Sequence, residues 1–128
     1  DPRSLYSKPS SAFVARFVGA ANEFSGVMKG NNLTLPSGIL TLPKSDLAQG
    51  PATVYVRQEA IKLTDADGAS LKGTVVSKTF LGSSQKIILS GVSEKLVSVV
   101  TKPSTQCEIG QTFGLSIEPE DILVLEDI

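Results

Sequence analysis

Apolar residues recur at two different spacings along this 128-residue chain, and the rhythm changes near residue 20. Before that point Phe13/Phe17 and Val14/Val18 stand four residues apart, the spacing of one helical face. Ser10 or Ser11 caps this helix, and Gly19 stands where a left-handed C-terminal residue is wanted. A shorter helical segment precedes it, opened by Asp1-Pro2, carrying Leu5 and Tyr6 and closed by Pro9. After Asn22 the pattern becomes one of short strands punctuated by Gly, Pro, Asn and Asp. It predicts strands over 24–28, 33–35, 39–42 and 53–57, with Ile61-Lys62-Leu63 continuing or re-pairing the last of these.

The alternation is strongest at Val54 and Val56, set against Thr53, Tyr55 and Arg57, and the residues on one side of such a strand face a core. Asp65-Ala66-Asp67-Gly68 is a loop that divides the β region into unequal halves, 23–64 and 69–128. The second half predicts strands over 71–80, 85–89, 96–101, 112–117 and 122–125, with Gly82-Ser83-Ser84 and Gly91-Val92-Ser93 as hairpin connections. Phe113, Leu115 and Ile117 alternate with Thr112, Gly114, Ser116 and Glu118, which gives that strand one buried face. Five strands of this length and spacing suggest a small oligonucleotide/oligosaccharide-binding (OB-like) barrel. The fold class read here is therefore mainly β: a small β-barrel with additional strands, preceded by short N-terminal helices over residues 1–22. Helices of this kind ahead of a β domain, with no initiator Met, read as the end of a longer protein's preceding domain.

Composition narrows the function more than it names it. A hydrophobic content of 41% supports a packed core, and 12 basic against 13 acidic residues leave no charge excess to draw nucleic acid or an anionic membrane. Outside the helices only Phe24, Tyr55, Phe80 and Phe113 are free to stack on bases, so nucleic acid is not a partner on this reading. Cys107 is the one cysteine, which excludes an intrachain disulfide and favours a reducing, cytoplasmic compartment. Apolar runs stay far below the ~20 residues a membrane-spanning helix requires.

Chemistry is constrained by what is missing. The chain has no histidine, so imidazole base catalysis and a histidine-bearing zinc site are excluded. Ser83-Ser84 near Lys86 reads as a hairpin turn, since no nucleophile elbow surrounds it. Asp65/Asp67 and Glu118/Glu120/Asp121 read as ordinary turn acids beside Gly or Pro. No glycine-rich phosphate loop occurs. No catalytic, cofactor-binding or metal-binding residue is assigned.

Leu5-Tyr6, Pro9, Phe13-Val14-Ala15, Phe17, Gly19 and Asn22 resemble the segment that leaves the nucleotide-binding domain in ATP-binding subunits of bacterial ABC importers. Val56-Arg57-Gln58-Glu59-Ala60-Ile61-Lys62-Leu63 is similar to that family's Val-Arg-Pro-Glu segment. Gln58 stands where the family usually carries proline, which restores a backbone donor that proline lacks. Leu71 to Ser77, Phe80-Leu81-Gly82-Ser83, Ile109-Gly110-Gln111 and Ile117-Glu118-Pro119-Glu120-Asp121 resemble the remaining landmarks of the C-terminal TOBE domain, an OB-like or MOP-like barrel.

The resemblance implies a regulatory and dimerisation module, joined at Gly19 to Asn22 to an ATPase domain that holds ATP and Mg outside this chain. The implied group of importers serves polyamines, ferric iron, phosphonates, sulfate or sugars. Implied partners are a second copy of the ATPase subunit and the importer's membrane subunits, on the cytoplasmic face of the plasma membrane, with a small-molecule or anion effector as a further one. Candidate interface or regulatory residues are Phe13, Phe17, Arg57, Glu59, Phe80 and Leu81, the bland alternative for Phe80 and Leu81 being burial in the core. A second reading is small-oxyanion binding, because Leu71 to Ser77 also looks like molybdate-binding relatives of this barrel. Ser98, Thr101 and Lys102 would then supply the hydroxyls and the charge.

Overall fold

A computed structural model describes residues 21–42 and 49–124, and the expected helices, with Phe13 and Phe17, lie outside them. Ten strands follow: β1 (Ala21–Lys29), β2 (Asn32–Leu35), β3 (Gly38–Thr41), β4 (Gly50–Arg57), β5 (Ile61–Thr64), β6 (Leu71–Phe80), β7 (Gln85–Ser90), β8 (Val97–Thr101), β9 (Thr112–Ile117) and β10 (Ile122–Val124). Short 3-10 turns over Gln58–Ala60 and Pro119–Asp121 link β4 to β5 and β9 to β10.

The strands form two five-stranded sheets, in the orders β10-β4-β1-β2-β3 and β5-β9-β6-β7-β8. Every pairing is antiparallel, and the tight turns between sequence neighbours set the registers. Gly30, with φ 64°, is the first central residue of the two-residue turn that joins Lys29 to its partner Asn32. In the second sheet β8 also approaches β5 and the first 3-10 turn, so this sheet curls into a half-barrel.

Two expectations are corrected. Ile61 to Leu63 does not extend or re-pair with 53–57; the 3-10 turn carries the chain into the other sheet, where Ile61 pairs with Ile117 and is almost fully buried. Likewise the last five expected strands do not close on themselves, because 122–124 leaves its neighbours and pairs with β4. The physical reason is the same in both places. A 3-10 turn at the end of a strand re-aims the chain, and Ile61 and Ile122 gain burial only by joining the sheet on the far side.

The inner faces form one core. Phe24, Met28, Leu33, Leu40, Val54 and Val56 of the first sheet pack against Leu71, Val75, Ile87, Leu89, Val97 and Val99 of the second. Val54 and Val56 are fully buried, as their alternation predicts, and Leu115 is buried with Phe113 and Ile117 half-buried beside it. A β-bulge shifts the register between Val75 and Ser77, at the outward-facing Val76.

Polar residues join the sheets, and two of these places rest on side-chain hydrogen bonds to backbone. Asn22 is buried, its Nδ2 donates to the carbonyl of Ser98 at 2.7 Å, and its Oδ1 accepts the amide of Ser98 at 2.7 Å. One side chain thus imitates a strand neighbour for the outer edge of β8. Asn22→Ala leaves two backbone groups without their partner, so urea unfolding should show a loss of about 2 kcal/mol. At the second place Ser37 Oγ donates to the carbonyl of Val92 at 3.0 Å and accepts the amide of Lys72 at 3.4 Å. The turn of the β2–β3 hairpin is thereby fastened to the second sheet.

Candidate interaction site at the sheet crossover

The two 3-10 turns run side by side, because the strands on both sides of them are paired. Before and after the crossing the pairs are Val56 with Ile122 and Ile61 with Ile117. Exchanging 56 for 117 and 61 for 122 maps one pair onto the other, which is a local two-fold. The backbone obeys it as well. Arg57 (φ −66°, ψ 149°) matches Glu118 (φ −70°, ψ 136°), and Ile61 (φ −91°, ψ 127°) matches Ile122 (φ −93°, ψ 120°).

The signal is present in the sequence as a degenerate repeat, Val56-Arg57-Gln58-Glu59-Ala60-Ile61 against Ile117-Glu118-Pro119-Glu120-Asp121-Ile122. Reading the second copy as a plain acidic turn misses the relation. Pro119 fits the first position of its turn, where an amide donor is not needed, and Gln58 stands at the equivalent place. The apolar residues flanking each turn are drawn inward, so the crossing displays its polar ones. Arg57, Glu59, Glu118, Glu120 and Asp121 are all exposed. Glu59 and Glu120 are equivalent under the two-fold, whereas Arg57 is matched by Glu118, so the site is acidic with one basic corner. The crossing therefore presents a charged, polar surface; among the described residues no cluster of three or more ligating side chains could hold a metal ion.

The remaining expected residues lie elsewhere. Phe80 and Leu81 are at the β6–β7 hairpin, 65% and 53% exposed, so the core alternative for them is not what the structure shows. Ser83 and Ser84 form the turn, closed by the amide of Leu81 on the carbonyl of Ser84 at 2.9 Å. Ile109 is also exposed, and its neighbour Gly110 donates to the carbonyl of Val75 at 2.8 Å, bringing this loop beside the outward Val76. Lys78 ties the same loop down, donating to the carbonyl of Cys107 at 2.8 Å and facing Glu108 at 3.7 Å. Cys107 is buried and unbridged.

The oxyanion candidates do not converge. Ser98 and Thr101 are three apart on β8 and therefore face opposite sides of the strand. The Thr101 hydroxyl is engaged by the hydroxyl of Thr105 and donates to the carbonyl of Lys102 at 3.2 Å.

One further charged group lies at the start of β1. Glu23 pairs with Lys95 and accepts the Tyr55 hydroxyl at 3.3 Å. The Lys95 hydrogen bond holds the Glu23 carboxyl below the usual carboxylate range, against the opposing effect of burial. Burial pushes the Tyr55 phenol up, and the Glu23 charge adds to this. The group links the first sheet to the loop between β7 and β8.

Residues 54–125, from the inward Val54 through both 3-10 turns, match the family model of the TOBE domain. The chain belongs to the TOBE domain family. Its curated relatives include the spermidine/putrescine import ATP-binding protein PotA of Clostridium novyi, 33% identical over 129 residues, covering 99% of this chain and 36% of that protein. They also include the Fe(3+) ions import ATP-binding protein FbpC of Escherichia coli K12, 28% identical over 126 residues, covering 98% and 36%. The TOBE chain thus spans about a third of the length of the curated relatives it matches. Among solved structures, the cytoplasmic molybdate-binding protein ModG shares its fold, with a TM-score of 0.63 at 17% identity over 82% of this chain and 95% of that one.

Proposed function

We propose that this TOBE chain is the C-terminal accessory domain of the ATP-binding subunit of a bacterial ABC importer, where it regulates and pairs the ATPase subunits. The observation that supports this reading is the alignment with PotA over 99% of this chain, which extends beyond the family model's span to take in both sheets. The work is binding and coupling, with ATP and Mg held by the rest of the subunit. The crossover site suits such a role physically. Each 3-10 turn is anchored at both ends by strand pairing, so its exposed charges are held on a rigid support, and a partner that meets them need not order a loop. Any effector acting here shifts the ATPase equilibrium only by its differential affinity for the two arrangements of the subunits.

The test uses the full-length ATP-binding subunit that carries this chain, assembled with its membrane subunits in proteoliposomes. Deleting residues 21–128 should change the ratio of ATP hydrolysed to solute imported by about threefold or more, a coupling energy near 0.7 kcal/mol. Unchanged hydrolysis, import and subunit pairing after the deletion would remove the regulatory reading.

A further inference from the structure

Among the described residues the first sheet ends on β3, a strand of four residues with no lysine and no proline to guard it. Its hydrogen-bonding directions follow from one bond and one register. The amide of Leu42 donates to the carbonyl of Asn31 at 2.8 Å, and Leu40 and Gly38 lie opposite Leu33 and Leu35. Backbone direction alternates along a strand, so residues 38, 40 and 42 turn their amides and carbonyls to β2, while Ile39 and Thr41 turn theirs away. Among the described residues no partner engages the backbone of Ile39, and Thr41 spends its hydroxyl on Asn32 Oδ1 at 3.0 Å. Both residues are exposed, Ile39 by 44%.

Beside this edge lies a cleft of about 380 Å³ that opens between the two sheets. Leu71, Leu115 and Ile117 give it an apolar side, Thr64, Ser70 and Ser116 a polar one, and among the described residues no charged one lines it. Leu71 and Leu115 belong to the core and are only 2% and 6% exposed, so the cleft is a surface gap over a closed core, beside the β3 edge.

We propose that the β3 edge and this cleft bind an extended, uncharged segment of a partner polypeptide by strand addition. Two amide–carbonyl pairs set two residues apart, about 7 Å along the strand, match an extended backbone and no compact small molecule. Period-two alternation then sends every second side chain of the incoming segment into the cleft beside the half-buried Ile117, which selects uncharged residues at those places. A lysine or glutamate there would lose its hydration with no counter-charge among the described lining residues, so their neutrality selects an uncharged segment. A second copy meeting edge to edge leaves the gap empty, because the inward side chain of its own β3, Leu40, is already buried. The inference does not rest on the importer reading.

The experiment is an NMR titration of the 128-residue chain with a capped heptapeptide of alternating threonine and valine. The amides of Ile39 and Thr41 should shift and exchange at least about tenfold more slowly, with a dissociation constant below about 1 mM. A peptide with lysine in place of valine should bind at least about tenfold more weakly. Ser116→Lys, at an exposed position on the rim, should weaken the valine peptide similarly, and Ile39→Pro should abolish binding by removing the outward donor. Absence of any response at Ile39 and Thr41 overturns the proposal, as does equal binding of the lysine peptide. Protection of the same amides that grows with protein concentration, without peptide, assigns the edge to a second copy and overturns it as well.

Discussion

Gly38→Ala should lower the stability of this domain by about 3 kcal/mol, with a lower urea midpoint and an unchanged dependence on denaturant. At this position a Cβ would overlap the carbonyl oxygen of Ser70 and lie 2.8 Å from its carbonyl carbon. Backbone cannot rotate aside as the end of a long side chain can, so the hairpin or the strand it touches has to move. Movement there costs more than the local clash. Gly38 adjoins Ser37, whose hydroxyl joins Val92 and Lys72, so a displaced turn loses both bonds and loosens Leu35 and Leu40 in the core. A midpoint within error of the wild type would show that the two sheets can separate here freely, and would refute this account of their docking.

Gly114→Val should act through a different mechanism and with similar size, about 3 kcal/mol. β9 is inserted between β5 and β6, although those two are neighbours in sequence. The loop over 65–70 must therefore cross β9, and it crosses at Gly114. A Cβ added there would overlap Ala69 Cβ and lie 2.6 Å from the carbonyl oxygen of Asp65 and 2.7 Å from Thr64 Oγ1. The loop is short and shaped by its own bonds, Asp65 Oδ1 accepting the Asp67 amide at 3.1 Å and the Ala69 amide meeting the Ala66 carbonyl at 3.2 Å. It has little slack with which to rise over a valine. The expected readout is early melting with faster amide exchange in β5 and β9; protection equal to the wild type in those strands would count against the crossing as the cause.

The strands themselves are legible residue by residue. Val54/Val56 and Phe113/Leu115/Ile117 alternate because one side of each strand is buried, and the turns carry glycines that adopt positive φ, such as Gly82 at 87° and Gly91 at 85°. Strand partners are less legible. Ile61-Lys62-Leu63 and Ile122 to Leu125 have the same local character whether they pair within one half of the chain or across to the other. Their pairing depends on two three-residue 3-10 turns whose length and composition look like ordinary loop. The candidate site suffers from this most. Arg57 and Glu59 come from a resemblance, while Glu118, Glu120 and Asp121 look like turn acids until the two-fold sets them beside the first pair. Asn22 gives no sign along the chain that it will act as a strand neighbour for Ser98, 76 residues away.

Period-two alternation, turn chemistry and composition are local properties, and they alone determine that this protein is a set of short antiparallel strands around one core, without histidine chemistry or an intrachain disulfide. Which strand lies beside which is a non-local choice, settled by the burial of Ile61 and Ile122 and by the backbone approaches that Gly38 and Gly114 permit. Only the tertiary structure makes that choice, because the energy that favours it comes from contacts between residues far apart in the chain, and no window of neighbouring residues contains both partners.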